Sequence, residues 1–303
     1  SRVNPRWTSR LPAAATLLAV ACSGAPPDAW RPAEPRPIPA EDRATPPGED
    51  LVERGASWGP IDRVLAYTFG LPSKILLLSL DVDSHVIDDE VEFAVRRHLA
   101  ENRLDDVKVR LDAYDPIDEW RRLFANGKVG WPARYTIGVL STLVYTILPG
   151  RILGGDNYNP YTDTVNLYSG SKAIAWHELG HAKDFAETTQ KGTYAAMRYL
   201  PFVDLAQEFE ASQDAIRYAW YLHDREGELE CYRLLYPAFG TYAAGYATKF
   251  LVFPSDPILT VALEYGLIVP GHVAGRLRAA ARDEHYDEYD EAGARRSTLP
   301  SEP

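Results

Sequence analysis

The chain has 303 residues, 46% of them hydrophobic, which is enough apolar material for one sizeable domain. Its formal net charge of −11 argues against nucleic acid as a partner and against an electrostatic attraction to anionic lipid. Only two cysteines are present, so a framework of several disulfides is excluded.

Residues 1–22 have the pattern of a bacterial export signal. Arg2, Arg6 and Arg10 precede a short apolar run that ends in LAVAC, with small residues before Cys22. This ending resembles the lipobox of bacterial lipoproteins, and the resemblance implies a lipid anchor on Cys22 and a place at the bacterial cell envelope. An ordinary cleaved signal or a disordered tail is the alternative. Residues 23–55 are rich in proline and predict a solvated tether.

The folded domain is expected to cover residues 56–282, followed by an acidic, disordered tail over residues 283–303. Its first elements are predicted to be a buried strand at residues 74–80, a helix near 88–102, a strand at 107–111 and a helix at 117–126. Residues 135–148 are apolar but short, with serine and threonine among them. They predict a helix buried behind the sheet rather than a membrane element.

The next two elements carry the chemistry. Residues 162–169 alternate like a half-exposed strand, and Ser171 is a candidate N-cap for a helix over residues 172–187. This helix contains HELGH, an HExxH segment, at residues 177–181. His177 and His181 are one turn apart on one face, so both imidazoles can reach one zinc ion, and Glu178 can act as general base. The alternative is two hydrogen-bonded core histidines.

A third ligand is sought on the next helix, where Glu210 is followed four residues later by Asp214. HExxH followed by ExxxD resembles the gluzincin metallopeptidases, the thermolysin-like branch of the zincins. The resemblance implies that Glu210 is the third zinc ligand and that Asp214 accepts a proton from a ligand imidazole and so orients it. Glu208 is a competing ligand, but no acidic residue follows it after four positions.

The same resemblance implies a mechanism and a substrate. Glu178 would take a proton from metal-activated water and pass it to the leaving amine of a peptide bond. The strand at residues 162–169 would be the sheet edge along which an extended peptide or protein substrate lies. Tyr218, eight residues past Glu210 and on roughly the same helix face, is a candidate donor to the developing oxyanion.

The expected fold class is α+β: a zincin-like catalytic lobe, with a small mixed sheet, an edge strand and the active-site helix, followed by a mostly helical lobe. The expected function is a zinc-dependent metallopeptidase tethered at the cell envelope. Two alternatives remain. The chain could be a catalytically silent zinc-binding lipoprotein that acts as a scaffold or chaperone, since a fold does not fix a function. It could also be a metal-independent envelope protein.

Overall fold

The computed structural model describes residues 51–198, 203–251 and 257–297. The predicted export signal and Cys22 lie outside these residues, as does most of the predicted tether. The first strand, β1 (Val52–Arg54), falls within the range assigned to the tether, so regular structure begins earlier than residue 56. Among the helices of the described ranges, none has both the length and the hydropathy that crossing a bilayer requires.

A four-stranded mixed sheet lies at the centre of the domain. Its strands are β1, β2 (Lys108–Leu111), β3 (Asn157–Asn159) and β4 (Thr164–Leu167), in the spatial order β1-β2-β4-β3. β1, β2 and β4 are parallel, and β3 pairs antiparallel with β4. The prediction that residues 162–169 form an exposed sheet edge is therefore wrong. β4 is an inner strand, buried along its whole length, and the edge is β3.

Helices make up most of the remaining described structure. The first six helical elements are α1 (Pro60–Thr68), α2 (Leu71–Leu77), α3 (Asp89–Glu101), α4 (Pro116–Ala125), α5 (Trp131–Ala133) and α6 (Val139–Ile147). A π-helical turn (Arg134–Gly138) joins α5 to α6. The later helices are α7 (Gly150–Leu153), α8 (Lys172–Glu187), α9 (Lys191–Met197), α10 (Val203–Tyr221), α11 (Arg225–Leu251) and α12 (Pro257–Ser297). The predicted α+β class is confirmed.

Three local predictions differ from the structure. Residues 71–77 form a helix rather than a strand, with Pro72 in its first turn and the buried Lys74 ammonium donating to the Val82 carbonyl. An apolar run of this length is compatible with either element. The helix at residues 139–147 exists, but Thr142 is its buried residue and its large apolar side chains face outward. The acidic tail continues α12, where Asp283 pairs with Arg225 at 2.7 Å.

Helix α8 separates two apolar clusters. On one side Leu179 and Phe185 join the sheet core with Val109 and Val165, which are fully buried. On the other side Trp176 joins a cluster contributed mainly by α10 and α11. A helix packed on both faces has little freedom to move, so its side chains are held in fixed positions.

Candidate metal centre

The position of α8 follows from local sequence. A short connection after β4 ends at Gly170, and α8 begins two residues later. The Ser171 hydroxyl accepts a hydrogen bond from the Ile174 amide at 3.2 Å, so Ser171 is the N-cap of this helix, as predicted. His177, Glu178 and His181 lie in the middle of α8 and are all buried. The sequence-predicted HExxH helix is therefore present, with the same bounds.

Helix α10 crosses α8 at close range, and Gly180 makes this approach possible. A Cβ atom built at Gly180 would lie 3.0 Å from the carbonyl oxygen of Ala211 and 3.2 Å from its Cα. Any side chain at position 180 would therefore push the two helices apart. The glycine between the two histidines thus allows the next helix to bring a side chain to them.

That side chain is Glu208. One carboxylate oxygen lies 3.1 Å from His177 Nε2, and the other lies 3.3 Å from His181 Nε2. One ligand atom from each of the three residues can be chosen so that all lie within 4.8 Å of one another. Ligands about 2.1 Å from a tetrahedral zinc ion are about 3.4 Å apart, so the observed spacing suits such an ion.

Ser212 holds one of the two histidines from behind. It lies one turn after Glu208 on α10, and its hydroxyl oxygen is 3.2 Å from His177 Nδ1. The Nε2 atom of the same ring faces Glu208. An imidazole held at Nδ1 presents Nε2 in a fixed direction, which is the arrangement that a metal-binding histidine needs.

The site thus changes two of the sequence-based assignments. Glu208, rather than the favoured Glu210, approaches the histidines, and Ser212 takes the place expected for Asp214. Glu210 is half-buried, and Asp214 points away from the two histidines, toward Lys183 of α8, with which it pairs at 2.6 Å. The reason is helical phase, because two residues correspond to a rotation of about 200° around the axis, so their side chains point to nearly opposite sides of the helix.

Glu178 lies next to His177 on α8. It is buried, and its Oε2 atom has no hydrogen-bond partner among the described residues. Burial is the main cause that raises the pKa of Glu178 to about 7. The nearby Glu208 charge also raises this pKa, and His177 opposes the shift. A carboxyl group with such a pKa can both accept and release a proton near neutral pH.

Two further side chains reach Glu208, and neither was found from the sequence. The Arg198 guanidinium lies 3.3 Å from a Glu208 oxygen, and it also donates to the Tyr158 carbonyl of the edge strand β3 at 3.2 Å. Tyr242, on α11, lies close to Glu208, whose negative charge is the main cause that raises the pKa of this tyrosine. No motif connects these positions to HExxH, so only the fold could reveal them.

Tyr218, the predicted oxyanion donor, is directed elsewhere. Its hydroxyl donates to Glu101 on α3 at 2.8 Å, and its ring meets His98 and Trp176 edge-on. These contacts place it in the packing between α3, α8 and α10. Arg198 and Tyr242 are the donors that the structure brings to the candidate site instead.

Comparison of the chain with family models, curated proteins and solved structures finds no match. The fit of the site to a metal therefore depends on its own donors. Two imidazole nitrogens and a carboxylate are a donor set that suits zinc. His181 Nε2 supports this fit, because it has no hydrogen-bond partner in the described part of the chain although Glu208 is close.

Proposed function

We propose that the protein is a zinc-dependent metallopeptidase in which His177, His181 and Glu208 hold the ion and Glu178 is the general base. The observation that carries this proposal is the convergence of both histidine Nε2 atoms on one carboxylate, 3.1 and 3.3 Å away. Beside them lies a buried Glu178 oxygen that has no hydrogen-bond partner within the described ranges. When bound, zinc would supply Lewis acidity and activate water for attack on a carbonyl. Glu178 would accept the proton from that water and deliver it to the leaving amine.

The substrate in this proposal is an extended peptide along β3. This strand is the edge of the sheet, and Arg198 connects its Tyr158 carbonyl with Glu208. Tyr158 and Asn159 are buried, so a peptide could pair with this edge only if Arg198 released the Tyr158 carbonyl, and it would then run beside the site. Arg198 and Tyr242 would then be the groups that stabilise negative charge developing on the attacked carbonyl oxygen. Attachment to the cell envelope through Cys22 remains a prediction.

The Arg198–Glu208 contact also favours a second candidate, a buried ion-pair network that needs no metal. A guanidinium 3.3 Å from a carboxylate competes with a cation for it. The two candidates differ in one measurable property. If the site binds zinc and Arg198 competes with the ion for Glu208, Arg198→Ala strengthens zinc binding. If the site is an ion-pair network without metal, neither the wild type nor the variant binds zinc, and the variant is less stable.

The test is zinc stoichiometry together with peptide cleavage for the full chain and for Glu178→Gln. We expect about one zinc per chain in both, and a loss in cleavage rate of about 10²–10⁴-fold in the variant, because the amide cannot take the proton. Elemental analysis and a library of quenched fluorescent peptides measure the two properties.

Three results would contradict the assignment in different ways. Absence of zinc after reconstitution would remove the metal site. Zinc without cleavage by the wild type would support the catalytically silent scaffold. Cleavage at the wild-type rate by Glu178→Gln would show that another group is the base.

A further inference from the structure

The continuous helical segment at residues 131–147, made of α5, the π-helical turn and α6, exposes a row of large apolar side chains. Trp131, Leu140 and Ile147 are 71%, 61% and 64% exposed. Tyr135, Leu143 and Val144 are also exposed. A helix of this kind normally turns its apolar face toward the protein core. Here Ile137 and Val139 pack against the sheet core, whereas the row of larger apolar side chains is on the opposite, outer side, where no described element covers it.

The π-helical turn at Arg134–Gly138 keeps these side chains on one face. In a regular α-helix, residues four apart share a face, as Trp131 and Tyr135 do. Across a π turn the matching spacing is five, which brings Leu140 into line with Tyr135. Leu140, Val144 and Ile147 then follow at α-helical spacing. The irregular turn therefore makes two short apolar faces into one.

Charge on this segment differs from that of the rest of the protein. No aspartate or glutamate occurs from Arg121 to Gly155, although the whole chain carries a net charge of −11. Five basic residues occur in the same stretch: Arg121, Arg122, Lys128, Arg134 and Arg151. Lys128 and Arg151 pair with carboxylates. Arg122 and Arg134 donate to backbone carbonyls, which do not neutralise their positive charge, and Arg121 is exposed. The Arg134 guanidinium also lies 4.8 Å from the centre of the Tyr135 ring.

Aromatic rings and a cation lie together at one end of the face. Phe124 on α4 is exposed, and its ring centre is 6.1 Å from that of Tyr135, so the apolar surface continues onto the neighbouring helix. Tryptophan, tyrosine and arginine are the residues that settle at the headgroup level of a bilayer, whereas leucine and isoleucine enter the acyl boundary.

We propose that this face, residues 131–148 with Phe124, docks on the surface of an anionic lipid bilayer and lies in the plane of the membrane. The apolar row supplies the burial, and the absence of carboxylates removes the repulsion that the rest of this acidic chain would suffer near anionic headgroups. The inference does not depend on a lipid at Cys22, because that position lies more than a hundred residues before this face in the sequence. It is also independent of the proposed metallopeptidase activity.

The experiment measures tryptophan quenching by vesicles that contain bromine-labelled lipid. The full chain is mixed with vesicles of phosphatidylcholine alone, or with about a third of phosphatidylglycerol. We expect quenching in wild type to exceed that in Trp131→Phe, because Trp131 enters the interface. Trp220→Phe is the control, since Trp220 lies on α10 and is half-buried. The Trp220→Phe variant should keep the part of the lipid-dependent quenching that comes from Trp131.

Binding strength gives a second readout. Leu140→Ser combined with Val144→Ser should lower partitioning onto the anionic vesicles by on the order of tenfold, because two exposed apolar side chains are lost. The matched control is Val273→Ser with Leu277→Ser, an exposed pair of the same spacing on α12. It should partition like wild type. Wild type should also bind the anionic vesicles more tightly than the neutral ones.

Several outcomes would overturn the proposal. Quenching that does not change in Trp131→Phe would mean that the face stays away from the bilayer, whatever tethers the chain. If the Leu140/Val144 and Val273/Leu277 double variants partition equally onto the vesicles, this face does not contribute to lipid binding. If light scattering without lipid shows a dimer that the Leu140 and Val144 substitutions convert to a monomer, a second copy of the chain covers the face instead.

Discussion

Helix α10 carries polar side chains on two of its faces, and the two faces serve different regions of the molecule. Glu208 and Ser212 face the two histidines of α8, at the candidate metal centre. Asp214 lies at the rear of the same helix pair, beside Lys183 and His98. The comparison teaches that a spacing of four residues selects one face of a helix but does not say which face. The phase is decided by which residues the neighbouring helix buries.

The front pair should determine zinc binding. We expect Glu208→Gln to lose zinc almost completely, with a fall in affinity larger than the 10–100-fold that outer-shell partners contribute, because a neutral amide replaces a charged ligand. Glu210→Gln is the matched control two positions away, and it should bind zinc like wild type. Titration with a competing chelator measures both affinities. The opposite result, with zinc lost only in Glu210→Gln, would restore the assignment that the sequence favoured.

Ser212 tests the second member of the front pair. Ser212→Ala removes the contact to His177 Nδ1 and leaves that ring free to rotate, so zinc affinity should fall by about 10–100-fold. Ser212→Thr keeps the hydroxyl and should recover most of the loss. The same chelator titration applies. Equal affinities for the alanine variant and the wild type would show that Ser212 does not orient the histidine.

The sequence predicted one part of this site well and another part poorly, for a physical reason. Its α8 portion is local: Ser171, the helix bounds and the two histidines all follow from spacing within one element. Glu208 could have been favoured by asking whether Ser212, like an aspartate, can hold an imidazole. Arg198 and Tyr242 come from separate elements, and only the packing of α8, α10 and α11 brings them together.

The sheet shows the same limit. The strand predicted at residues 107–111 is present as Lys108–Leu111, but β3 has only three residues, too few for an alternating pattern to indicate it. Without β3, the strand beside it was assigned to the edge. Short edge strands depend on their partner rather than on their own composition.

The rear group should act on stability rather than on the metal. Asp214→Asn removes the charge that pairs with Lys183 at 2.6 Å, a contact that is partly exposed to solvent. We expect a loss of about 1 kcal/mol in the free energy of unfolding, because solvent screening limits such pairs. Zinc affinity should stay within about twofold of wild type, well short of the 10–100-fold effect of an outer-shell partner. Urea unfolding measures the change in stability, and chelator titration measures the zinc affinity. A large loss of zinc affinity in Asp214→Asn would mean that Asp214 belongs to the candidate metal centre.

The smallest expected effect is a pH dependence at His98, which is fully buried behind α8. Both ring nitrogens are without a hydrogen-bond partner among the described residues, although Asp214 is 3.8 Å away. Burial is the main cause that lowers the pKa of His98 below its usual value, aided by Lys183 and opposed by Asp214 and Glu101. The unfolded chain therefore takes up a proton at His98 below a pH of about 6.5, whereas the folded chain does so only at lower pH.

It follows that the wild type loses stability as the pH falls, and that a variant without this imidazole loses less. In His98→Phe, whose ring can keep the edge contact with Tyr218, the loss between pH 7 and 6 should be smaller by up to about 0.7 kcal/mol, the limit reached if folded His98 stays neutral over this range. Other buried histidines contribute equally to both proteins, so the difference between the two urea-unfolding series isolates His98. Parallel pH profiles would mean that His98 becomes charged inside the folded protein, with Asp214 as its partner.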